Sequence, residues 1–280
     1  MGSANRMYIR PLLALACALI TLCIPDAIQA QVSVREFSPA RATIDATGFA
    51  GTVLVYDANQ NSYAAGHAER IDRRLIPAST FKILNSLVAL EAGVIADQRT
   101  VIKWDGVARE RTEVNRDLDL QAAFRLSAVP HYQALARRIG PERMQQFIDA
   151  VGYSNRDTSG GIDTFWLTGG LRISAREQVD FLLRLCRGSL PFSAATMAIV
   201  KEMMVTEQTA EHTIRAKTGW TTLPEAAHVG WWVGWVARKA GVHMFATALE
   251  ATAPGPTFGP ARQAVTRRVL EQLAVLKSAQ

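Results

Sequence analysis

Cysteine is scarce in this sequence, and no two cysteines can pair once the first 30 residues are set aside. Of the three cysteines, Cys17 and Cys23 lie in that segment and only Cys186 follows it. An internal disulfide is therefore excluded from the rest of the chain. The remaining ~250 residues are enough to bury a large hydrophobic core without one.

Other features that would point to particular partners are also lacking. The five histidines show no metal-ligand spacing such as His-Glu-x-x-His, so we expect no metal. The formal net charge of +6 is spread along the chain, without a basic tract or interleaved aromatics, so we expect no nucleic-acid partner. No apolar run after residue 30 is long enough to cross a bilayer, so we expect no membrane association after export.

Residues 1–30 have the pattern of a cleaved export signal. Basic residues precede the apolar run 12–24, and a short segment ending at Ala30 follows it. The pattern predicts cleavage near Ala30 and leaves residues 31–280 as a single domain, because no repeat or low-complexity linker divides them. A lipid anchor on Cys17 is an alternative, although the residues before that cysteine match a lipidation site poorly.

A nucleophile and a base are predicted in Pro77-Ala78-Ser79-Thr80-Phe81-Lys82. One helical turn separates Ser79 from Lys82, which places the hydroxyl and the amine on one face. Serine needs a base to take its proton as it attacks, and burial lowers the pKa of a lysine enough to serve. Alone the motif is weak, and a helix-capping serine beside a solvated lysine is the alternative.

The order of predicted elements places strands at both ends of the chain. The runs with strand composition are 51–56, 62–65, 213–217, 229–237 and 242–251. Short helical periods fill residues 84–205, and a helix with apolar Val265 and Val269 follows the last strand. We predict an α/β fold of the α+β type: one antiparallel sheet built from both termini and flanked by helices, with an all-helical subdomain.

Several further motifs follow the serine. In chain order the set is Ser79-x-x-Lys82, Ser127-x-Val129, Tyr153-x-Asn155, Trp166-Leu167 and Lys217-Thr218-Gly219-Trp220. Taken alone, Ser127 fits a helix cap and Trp166 fits a core aromatic. Ser-x-x-Lys with Lys-Thr-Gly is typical of β-lactamases and penicillin-binding proteins. The whole set resembles the class D serine β-lactamases, the oxacillinases, from about Gly51 through the terminal helix.

The resemblance implies hydrolysis of penicillin-type β-lactams, small-molecule substrates, through a serine acyl-enzyme. It implies that Ser79 is the nucleophile and that Lys82, carrying a CO2-derived carbamate, is the base for acylation and deacylation. Ser127 would pass a proton to the leaving ring nitrogen, and the Trp166 indole would donate a hydrogen bond to the carbamate. No other cofactor is implied.

The resemblance also implies a set of substrate-binding residues. Val129 and Leu167 would line the Lys82 pocket, and the backbone N–H groups of Ser79 and Trp220 would form the oxyanion hole. Lys217, Thr218 and Arg262 would face the substrate carboxylate. The full set of implied substrate-binding residues is Val129, Leu167, Lys217, Thr218, Gly219, Trp220 and Arg262. For Arg262, a solvated arginine at a helix start is the alternative.

Two positions depart from the family pattern. Ser154 stands where the family usually has glycine, and the connection from Thr221 to Val229 is long for a hairpin beside an active site. Because such loops tune which side chains fit, the substrate spectrum stays open.

The same residues bear on two other functions and on where the protein is located. A β-lactam sensor would be acylated without release, but such domains follow membrane-spanning segments, and only a cleavable signal is predicted here. A penicillin-binding transpeptidase or carboxypeptidase is the other alternative. The hydrophobic Val129 and Trp166 stand in place of an amide-bearing middle motif, which argues against it. The signal implies the periplasm of a Gram-negative bacterium, with the protein a monomer or homodimer.

Overall fold

The computed structural model describes residues 1–2, 33–221 and 228–277. Residues Val32–Gln280 form one compact unit. The predicted export signal, apart from its first two residues, and the centre of the Thr221 to Val229 connection lie outside the described residues. Within the described ranges, no helix has the length and apolar character needed to cross a membrane.

The elements follow one another in the predicted order of strands, helices, strands and a final helix. The strands are β1 (Val34–Glu36), β2 (Ala50–Asp57), β3 (Ser62–Gly66), β4 (Val101–Ile102), β5 (Leu118–Asp119), β6 (Val205–Gln208), β7 (His212–Thr221), β8 (His228–Arg238) and β9 (Gly241–Ala251). The helices are α1 (Ser38–Asp45), α2 (Lys82–Glu91), α3 (Leu120–Arg125), α4 (Val129–Ile139), α5 (Pro141–Val151), α6 (Ala175–Arg187), α7 (Ala194–Met203) and α8 (Phe258–Gln272).

One sheet joins the two ends of the chain, in the order β1-β3-β2-β9-β8-β7-β6. The first hairpin, β2 and β3, is placed beside β9, so the predicted sheet built from both termini is confirmed. The sheet is mixed, because the short first strand pairs parallel with β3. That strand and α1 escaped prediction because a three-residue strand with one apolar side chain and a weakly apolar helix give little periodicity.

Both faces of the sheet are covered. Along β2, Leu54 and Tyr56 enter the core that includes α2 and α6, whereas Val53 and Val55 enter the core beneath α1 and α8. Successive side chains of a strand point to opposite faces, so a strand buried on both sides is a continuous apolar run. This explains why the segment Gly51–Tyr56 shows no alternation in sequence.

The middle of the chain is helical except for one small sheet. Strands β4 and β5 pair antiparallel through Val101 with Asp119 and Ile102 with Leu118. The predicted all-helical subdomain therefore contains a two-stranded ribbon, and strands of two residues are too short to give a periodic signal. Helix α2 is buried at nine of its ten positions, so it forms the centre of the molecule between this subdomain and the sheet.

Candidate active site

Ser79 and Lys82 meet at the start of α2. Ser79 lies in a 3-10 turn, Ala78–Phe81, and α2 begins at Lys82. The Lys82 Nζ donates a hydrogen bond to Ser79 Oγ at 2.7 Å, and both residues are buried. Ala78 has a φ of 50°, a left-handed conformation that costs an alanine about 1 kcal/mol or more. The strained turn thus presents the hydroxyl to the amine.

The Lys82 amine is placed where a charge is unfavourable. Burial is the main cause that lowers the pKa of this amine well below its ordinary value, and the positive charges of Lys217 and Arg111 lower it further. The ring centroid of Tyr132 lies 5.3 Å from Nζ. No carboxylate of the described residues forms an ion pair with Lys82. A neutral amine can accept the proton of Ser79.

A second hydroxyl and amine pair faces the first. Ser127 lies just before α4 with a φ of 54°, and the Lys217 Nζ donates a hydrogen bond to Ser127 Oγ at 3.0 Å. Burial, then the nearby Arg262 and Arg111, lowers the pKa of Lys217 to about 7. An amine with this pKa exchanges protons readily near neutral pH. The direct contact links Lys217 to the predicted proton relay, and its contact with a substrate carboxylate stays a prediction.

Gly219 lets β7 approach the turn that carries the nucleophile. A Cβ atom at this position would lie 2.9 Å from the Pro77 carbonyl oxygen and 3.3 Å from the Thr80 nitrogen. Glycine is the residue that permits so close an approach of two backbones. The next residue, Trp220, is 44% exposed at the outer end of the strand.

We expect Gly219→Ala to slow acylation about tenfold, because the Ser79 turn has to move by a few tenths of an ångström out of reacting position. Single-turnover mixing with a chromogenic cephalosporin measures this rate. Gly255→Ala is the matched control, because a Cβ at Gly255 meets no atom within 4 Å. Equal acylation rates for both variants would show that the close approach does not position Ser79.

Trp166 packs against the turn that carries Ser79. The neighbouring Leu167 carbonyl accepts a hydrogen bond from Thr221 Oγ1 at 3.0 Å, and its place in the Lys82 pocket stays a prediction. The Trp166 ring is fully buried and stacks on Phe81 with centroids 5.3 Å apart, and its carbonyl accepts a hydrogen bond from the Ala78 nitrogen at 3.0 Å. Its indole Nε1 is buried and has no acceptor among the described residues. Val129 begins α4 and lines a 220 Å³ cavity together with Arg111 and Pro130, and its contact with the Lys82 pocket stays a prediction.

Arg262 is buried and contacts β7 through Gly219. It is 9% exposed, and it donates hydrogen bonds to the carbonyl oxygens of Gly219 and Gly259. The guanidinium carbon lies 5.4 Å from the Trp220 ring centroid. Burial lowers the pKa of Arg262 to about 10. The alternative of a solvated arginine is therefore wrong, whereas a carboxylate contact stays a prediction.

The structure accommodates Ser154 at the position where the family usually has glycine. Ser154 has a φ of 63°, a conformation that glycine adopts without strain. Its hydroxyl donates a hydrogen bond to the Arg172 carbonyl, and the neighbouring Asn155 accepts one from the Arg172 nitrogen at 2.9 Å. These bonds hold the serine in the glycine-like turn.

Several supporting residues were not predicted from the sequence. The Gln178 amide, fully buried on α6, donates to Thr80 Oγ1 at 2.8 Å, and Ser86 Oγ donates to the Lys82 carbonyl at 2.8 Å. Arg111 lies close enough to lower the pKa of both lysines. None belongs to a motif, so only the folded chain shows them. In the described part of the chain, no group of His, Cys, Asp or Glu is arranged to hold a metal ion.

Sequence comparison places this geometry in a known family. The chain matches the family model for the penicillin binding protein transpeptidase domain over residues 50–271. It is 43% identical to Beta-lactamase OXA-48 of Klebsiella pneumoniae over 227 residues, which cover 81% of this chain and 84% of that protein. It is 41% identical to Probable beta-lactamase YbxI of Bacillus subtilis over 200 residues, covering 71% and 74%.

Solved structures agree. The class D β-lactamase YbXI from Nostoc has a TM-score of 0.81 at 40% identity, covering 85% of this chain and 99% of that one. FUS-1 (OXA-85), a class D β-lactamase from Fusobacterium nucleatum subsp. polymorphum, has a TM-score of 0.83 at 32% identity, covering 87% and 100%. With the Ser79 and Lys82 contact at its centre, this chain belongs to the class D serine β-lactamases, which hydrolyse β-lactams.

Proposed function

We propose that the Ser79 Oγ attacks the β-lactam carbonyl carbon while the Lys82 side chain accepts its proton. An ester to Ser79 forms as the carbon–nitrogen bond of the ring breaks. The observation that carries this proposal is the 2.7 Å contact between Lys82 Nζ and Ser79 Oγ in a buried site. Water then hydrolyses the ester with the Lys82 side chain again acting as base.

Ser127 and Lys217 serve the leaving group in this proposal. The Ser127 hydroxyl gives its proton to the ring nitrogen, and Lys217, at 3.0 Å, resupplies it. A pKa of about 7 means that Lys217 is populated in both protonation states near neutral pH. This supports a proton relay better than a permanently charged lysine would.

The Lys82 pocket fits a carbamate formed by CO2 on the amine. The buried amine has a strongly lowered pKa, and a neutral amine is the form that reacts with CO2. The Trp166 Nε1 is a buried donor that lacks an acceptor among the described residues. A buried donor without a partner costs about 1–3 kcal/mol, so an added oxygen acceptor would remove a penalty. Once formed, the group supplies an anionic oxygen base.

Backbone and side-chain groups of β7 and α8 hold the substrate in this proposal. The N–H groups of Ser79 and Trp220 stabilise the oxyanion, and Thr218 and Arg262 bind the carboxylate of a penicillin-type substrate. We propose that the protein is exported to the periplasm of a Gram-negative bacterium as a monomer or homodimer, with the signal-like first 30 residues as support.

Multiple turnover tests the proposed chemistry. We expect the purified protein to hydrolyse many equivalents of a chromogenic cephalosporin or penicillin, because the same base serves acylation and deacylation. Rapid mixing measures the burst amplitude and the steady-state rate. A single stoichiometric burst with no further hydrolysis would indicate a sensor instead. Release of D-alanine from peptidoglycan peptides, with slow β-lactam release, would indicate a carboxypeptidase.

A further inference from the structure

An arginine outside the catalytic motifs is attached to the turn that carries Ser127. Arg111 lies before a 3-10 turn, Thr112–Val114, and its Nη2 donates a hydrogen bond to the Leu126 carbonyl oxygen at 2.9 Å. Leu126 directly precedes Ser127. The same guanidinium donates to Glu113 Oε1 from Nε at 2.9 Å and from Nη2 at 2.7 Å. Glu113 therefore fixes the orientation of the Arg111 guanidinium that binds the Leu126 carbonyl.

The Ser127 turn needs such a restraint. Ser127 has a φ of 54°, which is uncommon for a residue other than glycine, and its nitrogen donates to the Phe124 carbonyl at the end of α3. Strained conformations persist only where the surroundings over-determine them. The Leu126 carbonyl precedes the strained residue, so holding it limits the rotation that would carry the Ser127 hydroxyl away from Lys217.

We propose that Arg111 is a positioning residue that holds the Leu126 carbonyl and thereby keeps the Ser127 hydroxyl against Lys217. This inference rests on the proposed role of Ser127. In this role Arg111 does not contact the reacting atoms. The charge of Arg111 has a second consequence, because it also lowers the pKa values of Lys82 and Lys217.

The pH behaviour depends on all charged groups around the two lysines. Lys217 acts on Lys82, Arg262 on α8 acts on Lys217, and Arg111 acts on both. Glu113 pairs with Arg111, and Arg125 on α3 and Glu202 on α7 line the cavity beside Lys217. Arg111 is the cation that acts on both amines from outside the pair. Removing a cation favours protonation of the amines, so the acidic limb of the rate profile moves to higher pH.

Steady-state kinetics of Arg111→Ala and Arg111→Lys test the inference. We expect kcat to fall about fivefold to twentyfold in Arg111→Ala, with KM nearly unchanged and the acidic limb shifted to higher pH. Arg111→Lys keeps the charge but not the planar fork, so kcat falls while the acidic limb stays in place. Arg116→Ala, which removes an exposed cation of the same segment, is the control. A change in KM alone, or wild-type kcat in both variants, would overturn the positioning role.

A double-mutant cycle separates this inference from the proposed function. If Arg111 acts through Ser127, Arg111→Ala costs little further rate in a Ser127→Ala background. An equal fold-loss of rate from Arg111→Ala in both backgrounds would overturn the inference and leave the proposed role of Ser127 intact. A Ser127→Ala variant with wild-type turnover would instead overturn the proposed role of Ser127 itself. Thermal unfolding of each variant shows whether lost rate reflects lost fold.

Discussion

Replacing Lys82 by methionine is expected to lower kcat/KM for a penicillin by about 10²- to 10⁴-fold, the usual range for a general base. The free energy of unfolding of the same variant at pH 7 is expected to exceed that of the wild type by about 1 kcal/mol. The two effects have one cause. The amine is buried without an anionic partner among the described residues, and that arrangement makes it reactive while it opposes folding.

The pH dependence of stability follows from linkage. A lysine in the unfolded chain has a pKa near 10.4, whereas burial holds the pKa of Lys82 well below that value. Between the two values the unfolded chain binds more protons, so the stability of the wild type rises with pH across this window. Methionine does not titrate. The stability difference between variant and wild type is therefore expected to narrow as pH rises toward about 10.

Urea unfolding at pH 7 and at higher pH, in bicarbonate-free buffer, measures this difference. Lys103→Met is the matched control, because the Lys103 side chain is 81% exposed and pairs with Asp117 on the surface. We expect that variant to keep wild-type turnover. Strong hydrolysis by Lys82→Met would refute the assigned base, and a stability difference that widens with pH would refute the buried neutral amine.

The first catalytic pair could be predicted from sequence because its geometry is local. A spacing of three residues places Ser79 and Lys82 on the same face of one helical turn, and no contact with a distant part of the chain is needed for this. The second pair, Ser127 and Lys217, joins residues 90 positions apart. No periodicity relates them, so only the resemblance to a family could propose a shared site.

Other parts of the site could not be predicted from residue patterns without the family resemblance, because their function depends on an unpaired polar atom or on backbone strain. A buried tryptophan is usually a core residue, and the sequence does not show that the Trp166 Nε1 has no acceptor among the described residues. The left-handed turns at Ala78 and Ser127 oppose the usual preference of those residues. Arg111 reaches Leu126 through a loop contact that no motif encodes.

Replacing Trp166 by phenylalanine is expected to make activity depend on added bicarbonate. Phenylalanine keeps an aromatic ring to stack on Phe81 but has no N–H to donate, so a carbamate on Lys82 loses a buried hydrogen bond. In CO2-depleted buffer we expect turnover about 10- to 100-fold below wild type, the effect of one lost buried bond to a charged group. Saturating bicarbonate is expected to recover most of it.

Carbon-13 NMR gives a readout that does not depend on activity. With ¹³C-bicarbonate, wild type is expected to show a carbamate carbon resonance that Lys82→Met lacks and that Trp166→Phe shows only at higher bicarbonate. Trp235→Phe is the control, because Trp235 is equally a buried indole but lies on β8 outside the proposed site. If neither activity nor the resonance responds to bicarbonate in wild type or Trp166→Phe, the base is the unmodified amine. The Lys82→Met result then still stands, because the buried neutral amine is sufficient to accept the Ser79 proton.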